Sequence, residues 1–387
     1  MSSRTFRLGD IAPSSPSVDC DQQDEVWLLN LDRIEPNTGR LLGKDLVPIS
    51  SVGNSTHRFD EGNVLYSKLR PYLNKVLLPD GPGICTSELI PLRPDCRLVT
   101  RKYLAAYLRS PGFLHWVTQQ VDGAKMPRVS MKVFWDHELA LPTLEAQQRI
   151  TDVLDKVDSL RLKRQEAIRL ADEFLRAAYL DLAHRHPSAV PVETLLADVP
   201  NAARTGPFGS QLLVSEFTES GIPVLGIDNV VSNTFAWAAP RFISAEKYAE
   251  LERYTVRPGD VMVTIMGTTG RVAIAPDDLP TCISTKHLCT LTLDRKKMLP
   301  TYLWACLRWD PEVRAQTRRE AKGAIMEGWN MGIVKGLLVN APPMDVQLQF
   351  EEIANRIKRM SSAQVLAAKG TDDLMASLSA KYLDPTT

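Results

Sequence analysis

The chain repeats itself. Shifting it by 200 positions places Pro142 on Pro342, Leu144 on Met344, Glu145 on Asp345, Gln147 on Gln347, Ile150 on Phe350, Val153 on Ile353 and Val157 on Ile357. Each matched stretch opens a long run whose apolar residues recur alternately three and four apart, the spacing of one helix face. In the first run these are Ile150, Val153/Leu154, Val157, Leu160, Ala167/Ile168, Ala171, Phe174/Leu175, Ala178 and Leu182. About 40 helical residues extend roughly 60 Å, longer than a domain of ~150 residues is wide, so each helix is expected to leave its own domain and pair with the other. The seam is expected at Ile150, Val153, Val157, Leu160, Ile168 and Phe174 of the first helix, and at Phe350, Ile353, Ile357, Met360, Leu374 and Leu378 of the second. Gly370-Thr371-Asp372-Asp373 is expected to break the second helix locally.

The repeat extends upstream. An offset of 196 places Leu29 on Leu225, Leu31 on Ile227, Asp32 on Asp228, Ile34 on Val230, Asn37 on Asn233 and Thr38 on Thr234. Strand signals at 62–70 and 259–267 match, and then the loops diverge: Arg70-Pro71-Tyr72-Leu73-Asn74-Lys75 in the first copy, Gly267-Thr268-Thr269-Gly270-Arg271 in the second. Further on, Gly123-Ala124-Lys125-Met126-Pro127-Arg128-Val129-Ser130-Met131 answers Gly323-Ala324-Ile325-Met326-Glu327-Gly328-Trp329-Asn330-Met331, with Gly, Ala and two Met in register. The one jump in offset, eight residues between Asp198 and Leu225, holds the glycine-rich turn Arg204-Thr205-Gly206-Pro207-Phe208-Gly209-Ser210-Gln211. A chain of 387 residues exceeds the usual single core. The expected division is a domain at 1–141, a helix at 142–186, a second domain at 187–341 and a second helix at 342–387.

Composition narrows the class without naming a function. Apolar residues make up 44% and charged residues 24%, the formal net charge is zero, and no apolar run or leader-like start directs the chain to a membrane, so a cytoplasmic protein is expected. The six cysteines form no CxxC pair and are expected as buried free thiols, and no metal site is expected. There is no GxxxxGK[ST], no GxSxG, no nuclease-type carboxylate-lysine cluster, and no Asn/Asp-Pro-Pro-aromatic tetrapeptide of a base methyltransferase. The chain reads as non-catalytic. Two related domains with unlike loops, joined by rigid helices, suit a split target such as two unlike half-sites on a duplex.

The LPxLxxQ lead into a long helix, the GPFGSQL turn, the GDVMVTIMGTTGRV strand-loop-strand, the GAKMPRVS/GAIMEGWN segment and the duplication together resemble the specificity subunit of type I restriction-modification systems, over essentially the whole chain. The resemblance implies an α+β protein: two mixed α/β target recognition domains in tandem, joined by two long helices packed as an antiparallel coiled coil about a pseudo-two-fold. It implies double-stranded DNA as partner, with two modification subunits that bind S-adenosylmethionine and restriction subunits that use ATP and magnesium. This chain itself would carry no cofactor. Two other readings stay open: the recognition subunit of a system with methylation and cleavage fused in one polypeptide, and a helical scaffold that never meets DNA.

The loops that differ between the copies supply the candidate DNA contacts. Lys68, Arg70, Lys125, Arg128, Arg271 and Lys286 are the basic candidates, although solvated surface charge is the usual fate of any one of them. Thr268 and Thr269 accompany Arg271 in a turn, and Thr205, Phe208, Ser210 and Gln211 belong to the GPFGSQL loop, which the resemblance turns from a plain Gly-Pro turn into a DNA-facing one. Trp329 and Asn330 are placed to stack on or hydrogen-bond a base, with the core as the alternative for Trp329. Arg161, Lys163 and Arg164 on the first helix are either solvated or close to phosphates.

Overall fold

The computed structural model describes residues 4–15, 24–123, 125–321 and 328–383. It divides into two compact units, Met1–Gln165 with Val365–Thr387, and Glu166–Gln364. Two long helices, Leu144–Arg185 and Met344–Leu383, are each shared between the units.

In the first unit, strand Arg4–Arg7 runs antiparallel to Glu138–Leu141, so the start of the chain is tied to the residues that lead into the first long helix. A four-stranded sheet orders Asp45–Pro48, Glu25–Leu29, Gly83–Thr86 and Thr56–Phe59, with Leu28 and Leu29 parallel to Ile84 and Cys85. A three-stranded sheet is centred on Val64–Ser67, whose four residues are all buried, between Val76–Leu77 and Leu89–Leu92. Helices Arg101–Arg109 and Pro111–Thr118 follow, each started by a hydroxyl: Thr100 accepts the Tyr103 N–H and Ser110 accepts the Phe113 N–H.

The second unit repeats the plan. Val190–Pro191 pairs antiparallel with Leu338–Val339, Val224 and Leu225 run parallel to Ile283 and Ser284, and the fully buried Val261–Thr264 lies between Val272–Ile274 and Leu288–Leu291. Helix Pro300–Trp309 stands where Arg101–Arg109 stands in the first unit. The correspondence reaches single side chains. Gln147 is wholly buried; its Oε1 accepts the Thr100 N–H at 2.8 Å and its Nε2 donates to the carbonyls of Leu98 (2.9 Å) and Pro142 (3.0 Å). Gln347 makes the same three bonds, to Leu299 N (2.8 Å), Lys297 O (3.0 Å) and Pro342 O (2.8 Å). A primary amide can satisfy one N–H and two carbonyls at once, which is why the motif calls for glutamine where each long helix docks on its domain.

Within the first unit, Ile150 and Leu154 share a core with Met375, Leu378 and Leu383, so the start of the first helix packs with the end of the second. Within the second unit, Leu175, Tyr179 and Leu182 share a core with Val346, Phe350, Ala354, Ile353 and Ile357. The antiparallel sense holds inside each unit. The seam itself needs correction: Val157 and Phe350 are buried and Ile168 is half-buried, but Val153, Leu160, Phe174, Met360 and Leu374 are 43–59% exposed. Leu154 and Leu175, one residue along, take the inward positions. A helix that meets both a domain core and a second helix buries a wide arc, and the narrow seam drawn from spacing alone fell on its edge.

The second helix is unbroken through Gly370–Asp373. Gly370 faces open space, so it costs only the ~1 kcal/mol propensity penalty of a mid-helix glycine, and the neighbouring Thr371 hydroxyl bonds back to the Ala367 carbonyl at 2.8 Å. Arg164, expected as a solvated or phosphate-facing charge, donates instead to Ala367 O at 2.7 Å and to Thr371. Cys85, Cys282, Cys289 and Cys306 are buried free thiols, but Cys96 is exposed; Cys20 lies outside the described residues.

Candidate nucleic-acid interface

In the first unit two loops that are distant in sequence meet at the end of strand Val64–Ser67. Leu69 bridges Arg128, the Val129 N–H donates to Lys68 O at 3.0 Å, and the Arg70 N–H donates to Pro127 O at 2.7 Å. Lys68, Arg70 and Arg128 are thereby gathered, with the exposed Lys125 in the adjoining loop. They are not equivalent. The Arg128 guanidinium grips the Glu88 carboxylate through Nε (3.1 Å) and Nη2 (2.8 Å), and Arg128 is the main reason that Glu88 titrates below the usual carboxylate range. Arg128 is therefore a partnered residue of its own domain rather than a free cation. Lys68 is half-buried, and Arg70 is exposed. Burial, with Lys68 nearby, holds His57 below its ordinary value.

The second unit repeats this junction with other residues. Met266 bridges Gly328, and the Trp329 N–H donates to Ile265 O at 2.7 Å. The half-buried Trp329 ring lies against Gly270, where a Cβ would come within 3.0 Å of it, and Gly270 also has φ +79. Glycine is required here twice over. The turn is closed by Thr264, whose hydroxyl accepts the Arg271 N–H at 2.9 Å and donates to the Thr268 carbonyl. Thr268 and Arg271 are exposed and Thr269 is half-buried. Asn330 uses its side-chain oxygen to cap helix Met331–Gly336, accepting the Ile333 N–H at 2.9 Å, so that oxygen is not available to read a base. Of the GAIMEGWN segment, residues 323–327 lie outside the described residues, as does Ala124 of its counterpart.

A cleft of ≈ 550 Å³ opens beside this turn, lined by Thr268, Thr269, Arg271 and Trp329 and by Arg176 and Arg314 among others. At its wall Arg308 forms a two-point pair with Asp172 (2.7 and 2.9 Å) and lies over the Trp309 ring at 4.6 Å. Arg176 and Arg314 escaped the sequence reading because nothing marks a helix-borne arginine as facing a turn that is distant in sequence.

The GPFGSQL loop lies against strand Ile283–Ser284, which leads into the turn that carries Lys286. A Cβ on Gly206 would fall 2.0 Å from the Ser284 carbonyl, so the backbones approach as only glycine allows, and the Gly206 N–H donates to Thr285 O. Beyond it Phe208 and Ser210 are exposed, while Thr205 is half-buried in the sheet. The Gln211 side-chain oxygen accepts the Phe208 N–H at 3.1 Å and the Tyr254 hydroxyl at 2.8 Å, so Gln211 shapes the turn. Lys286 is exposed; its neighbour His287 is held below its ordinary value by burial first and by Lys286 and Arg241 after it. Because the Ile265 N–H donates to His287 O at 2.9 Å, Lys286 and the GTTGR turn lie at the same end of strand Val261–Thr264.

Arg204, which the sequence places at the head of the glycine-rich turn without a role of its own, acts in the fold. It is buried, pairs with buried Asp260, and donates to Thr255 O (2.7 Å) and Asn201 O (2.9 Å), fixing the strand that leads into GPFGSQL. Burial pushes the Asp260 carboxyl up and the Arg204 guanidinium down from their ordinary values. Among the described residues no group of three or more His, Cys, Asp or Glu is placed to hold a metal ion, and no helix is long and apolar enough to cross a membrane.

Two sheet-based units, each completed by parts of two long shared helices and each presenting a different pair of loops on the same strand frame, define a tandem-repeat α+β protein. A family model described as the type I restriction modification DNA specificity domain matches residues 49–171. Among relatives, the Escherichia coli type I restriction enzyme EcoBI specificity subunit is 22% identical over 280 residues, 66% of this chain and 58% of that protein. The E. coli EcoDI specificity subunit is 25% identical over 119 residues, 31% of this chain and 26% of that protein. The match thus spans between a quarter and six-tenths of those relatives. Among solved structures, the type I restriction-modification S subunit from M. genitalium superposes with a TM-score of 0.61 at 10% identity, covering 98% of this chain and 96% of that one. A chain from a structure of complex assembly and conformational transition of the type I R-M system gives 0.60 at 17% identity, covering 98% and 97%. The chain is thus similar to type I restriction-modification specificity subunits in sequence over part of its length, and it shares their fold over nearly all of it.

Proposed function

We propose that this chain supplies the DNA sequence specificity of a type I restriction-modification complex, each unit reading one half of a two-part target on double-stranded DNA. The observation that carries this reading is the matched junction: Leu69 to Arg128 in one unit and Met266 to Gly328 in the other hold the same backbone geometry, while the residues presented there are unlike. Common frames with divergent loops are what two readers of two different half-sites require.

The long helices set the separation of the half-sites and dock the modification subunits. Val153, Leu160 and Phe174 are exposed at heptad spacings along the first helix, an apolar line suited to a partner helix. In this reading the chain is non-catalytic and cytoplasmic and binds no cofactor of its own. S-adenosylmethionine belongs to the two modification subunits, and ATP and magnesium to the restriction subunits. The test is the host methylome with and without the gene. A methylated motif of two short blocks separated by a fixed gap should vanish on deletion and return on complementation; an unchanged methylome in the deletion strain contradicts the reading.

A further inference from the structure

Arg70 adopts a backbone conformation that its counterpart in the second unit assigns to glycine. The two junctions align bond for bond: the Val129 N–H donates to Lys68 O where the Trp329 N–H donates to Ile265 O, and Leu69 bridges Arg128 where Met266 bridges Gly328. The next residue is Arg70 at φ 49, ψ 59 in the first unit and Gly267 at φ 73 in the second. The left-handed region is disfavoured for any residue with a Cβ and free for glycine. An arginine here is the less stable choice for the same turn.

The turn is held from both sides, as a strained residue requires. Besides Arg70 N to Pro127 O, the Leu73 N–H donates to Arg70 O at 2.9 Å, the Asn74 N–H to Pro71 O at 2.8 Å, and the Asn74 side chain to Arg109 O at 3.1 Å. Pro71 and Asn74 are buried beneath it. The guanidinium itself is exposed and has no ion-pair partner among the described residues, whereas neighbouring Arg128 is tied to Glu88. Among the described residues, none pairs with the side chain that the backbone is strained to present.

We propose that Arg70 is a specificity-determining residue of the first unit and reads the major-groove edge of a guanine in that unit's half-site. A phosphate contact is met by any cation on a flexible stem and needs no fixed Cα direction. A planar donor fork aimed from a clamped turn suits the two acceptors of guanine. The inference rests on the functional reading above.

The test uses the full complex assembled in the host with the unaltered chain, Arg70→Gly and Arg70→Lys, read by methylome sequencing, competition binding against duplexes altered at single positions, and thermal unfolding. Arg70→Gly should leave the unfolding midpoint unchanged or raise it by about 2 °C, since it relieves the strain. It should reduce discrimination at one position of one half-site by about 5- to 150-fold and leave the other half-site intact. Arg70→Lys should lose the same discrimination while keeping affinity for non-specific duplex. The assignment is overturned by an unchanged motif in both variants, by uniform weakening across all sequences, or by a lowered midpoint with loss of both half-sites. If the unaltered chain confers no two-part motif, the functional reading fails and the assignment fails with it.

Discussion

The two units share a backbone plan and differ in how they bury charge. Where the first unit has Asn63, buried and donating its amide to Ser15 O and Leu92 O, the second has Asp260, buried against Arg204 and also bonded to Thr292 and the Arg257 N–H. Where the first unit has the polar pair Tyr107–His137, with hydroxyl and imidazole 2.9 Å apart, the second has Cys306 and Leu337. The difference teaches that the strand frame and the helix docking are the invariant part, since both survive a change from amide to ion pair and from imidazole to leucine.

The largest expected effect follows from the ion pair. Asp260→Asn leaves Arg204 buried without its counter-charge, and should destabilise the second unit by about 3–5 kcal/mol. Native-state hydrogen exchange at Val261–Thr264 should show that loss, with Val64–Ser67 of the first unit unchanged; equal loss in both would erase the distinction between the units.

The second effect is one of pH and belongs to the first unit. Burial lowers His137 from 6.5 to about 4. Above pH 6.5 the ring is neutral folded or unfolded and contributes nothing to the balance. Between 6.5 and 4 the unfolded chain takes up a proton that the folded unit refuses, so stability falls as pH falls, by about 3 kcal/mol at pH 4. His137→Leu, which copies Leu337, should remove that part of the acid sensitivity from the first unit only, as measured by exchange at pH 7 and pH 4.5. An acid response identical to the unaltered chain's would sink this attribution.

The third effect separates the two faces of the first long helix. Leu154→Ala should cost about 2–4 kcal/mol through the cavity it leaves, whereas Val153→Ala, on the exposed face, should stay near 0.5 kcal/mol in the isolated chain. Denaturant titration of the two variants checks this, and equal costs would restore the seam first drawn at Val153.

The duplication and the long helices were legible because the repeat makes each copy a control for the other: the offset of 200 singled out Gln147 and Gln347 before any role could be given to them. The inward face was legible only to within a residue, since Val153 and Leu154 fit the same period and the choice depends on what the helix packs against. Gly370 misled because a propensity penalty of ~1 kcal/mol is small against a helix already docked at its ends. The loops were found from where the copies diverge, but the state of each side chain was not. That Arg128 is spent on Glu88, 40 residues away, or that Arg204 serves Asp260, 56 residues away, is a fact of tertiary placement with no local signature.

The central claim, that the two units read different half-sites through unlike loops on a common frame, is tested most directly by exchange. Residues 1–141 are replaced with those of a family member of different specificity, and the methylome of a host carrying the hybrid complex is sequenced. The account predicts a motif in which one block is new, the other block is parental and the gap between them is unchanged. A hybrid that assembles and methylates with both blocks altered, or with neither, would contradict it.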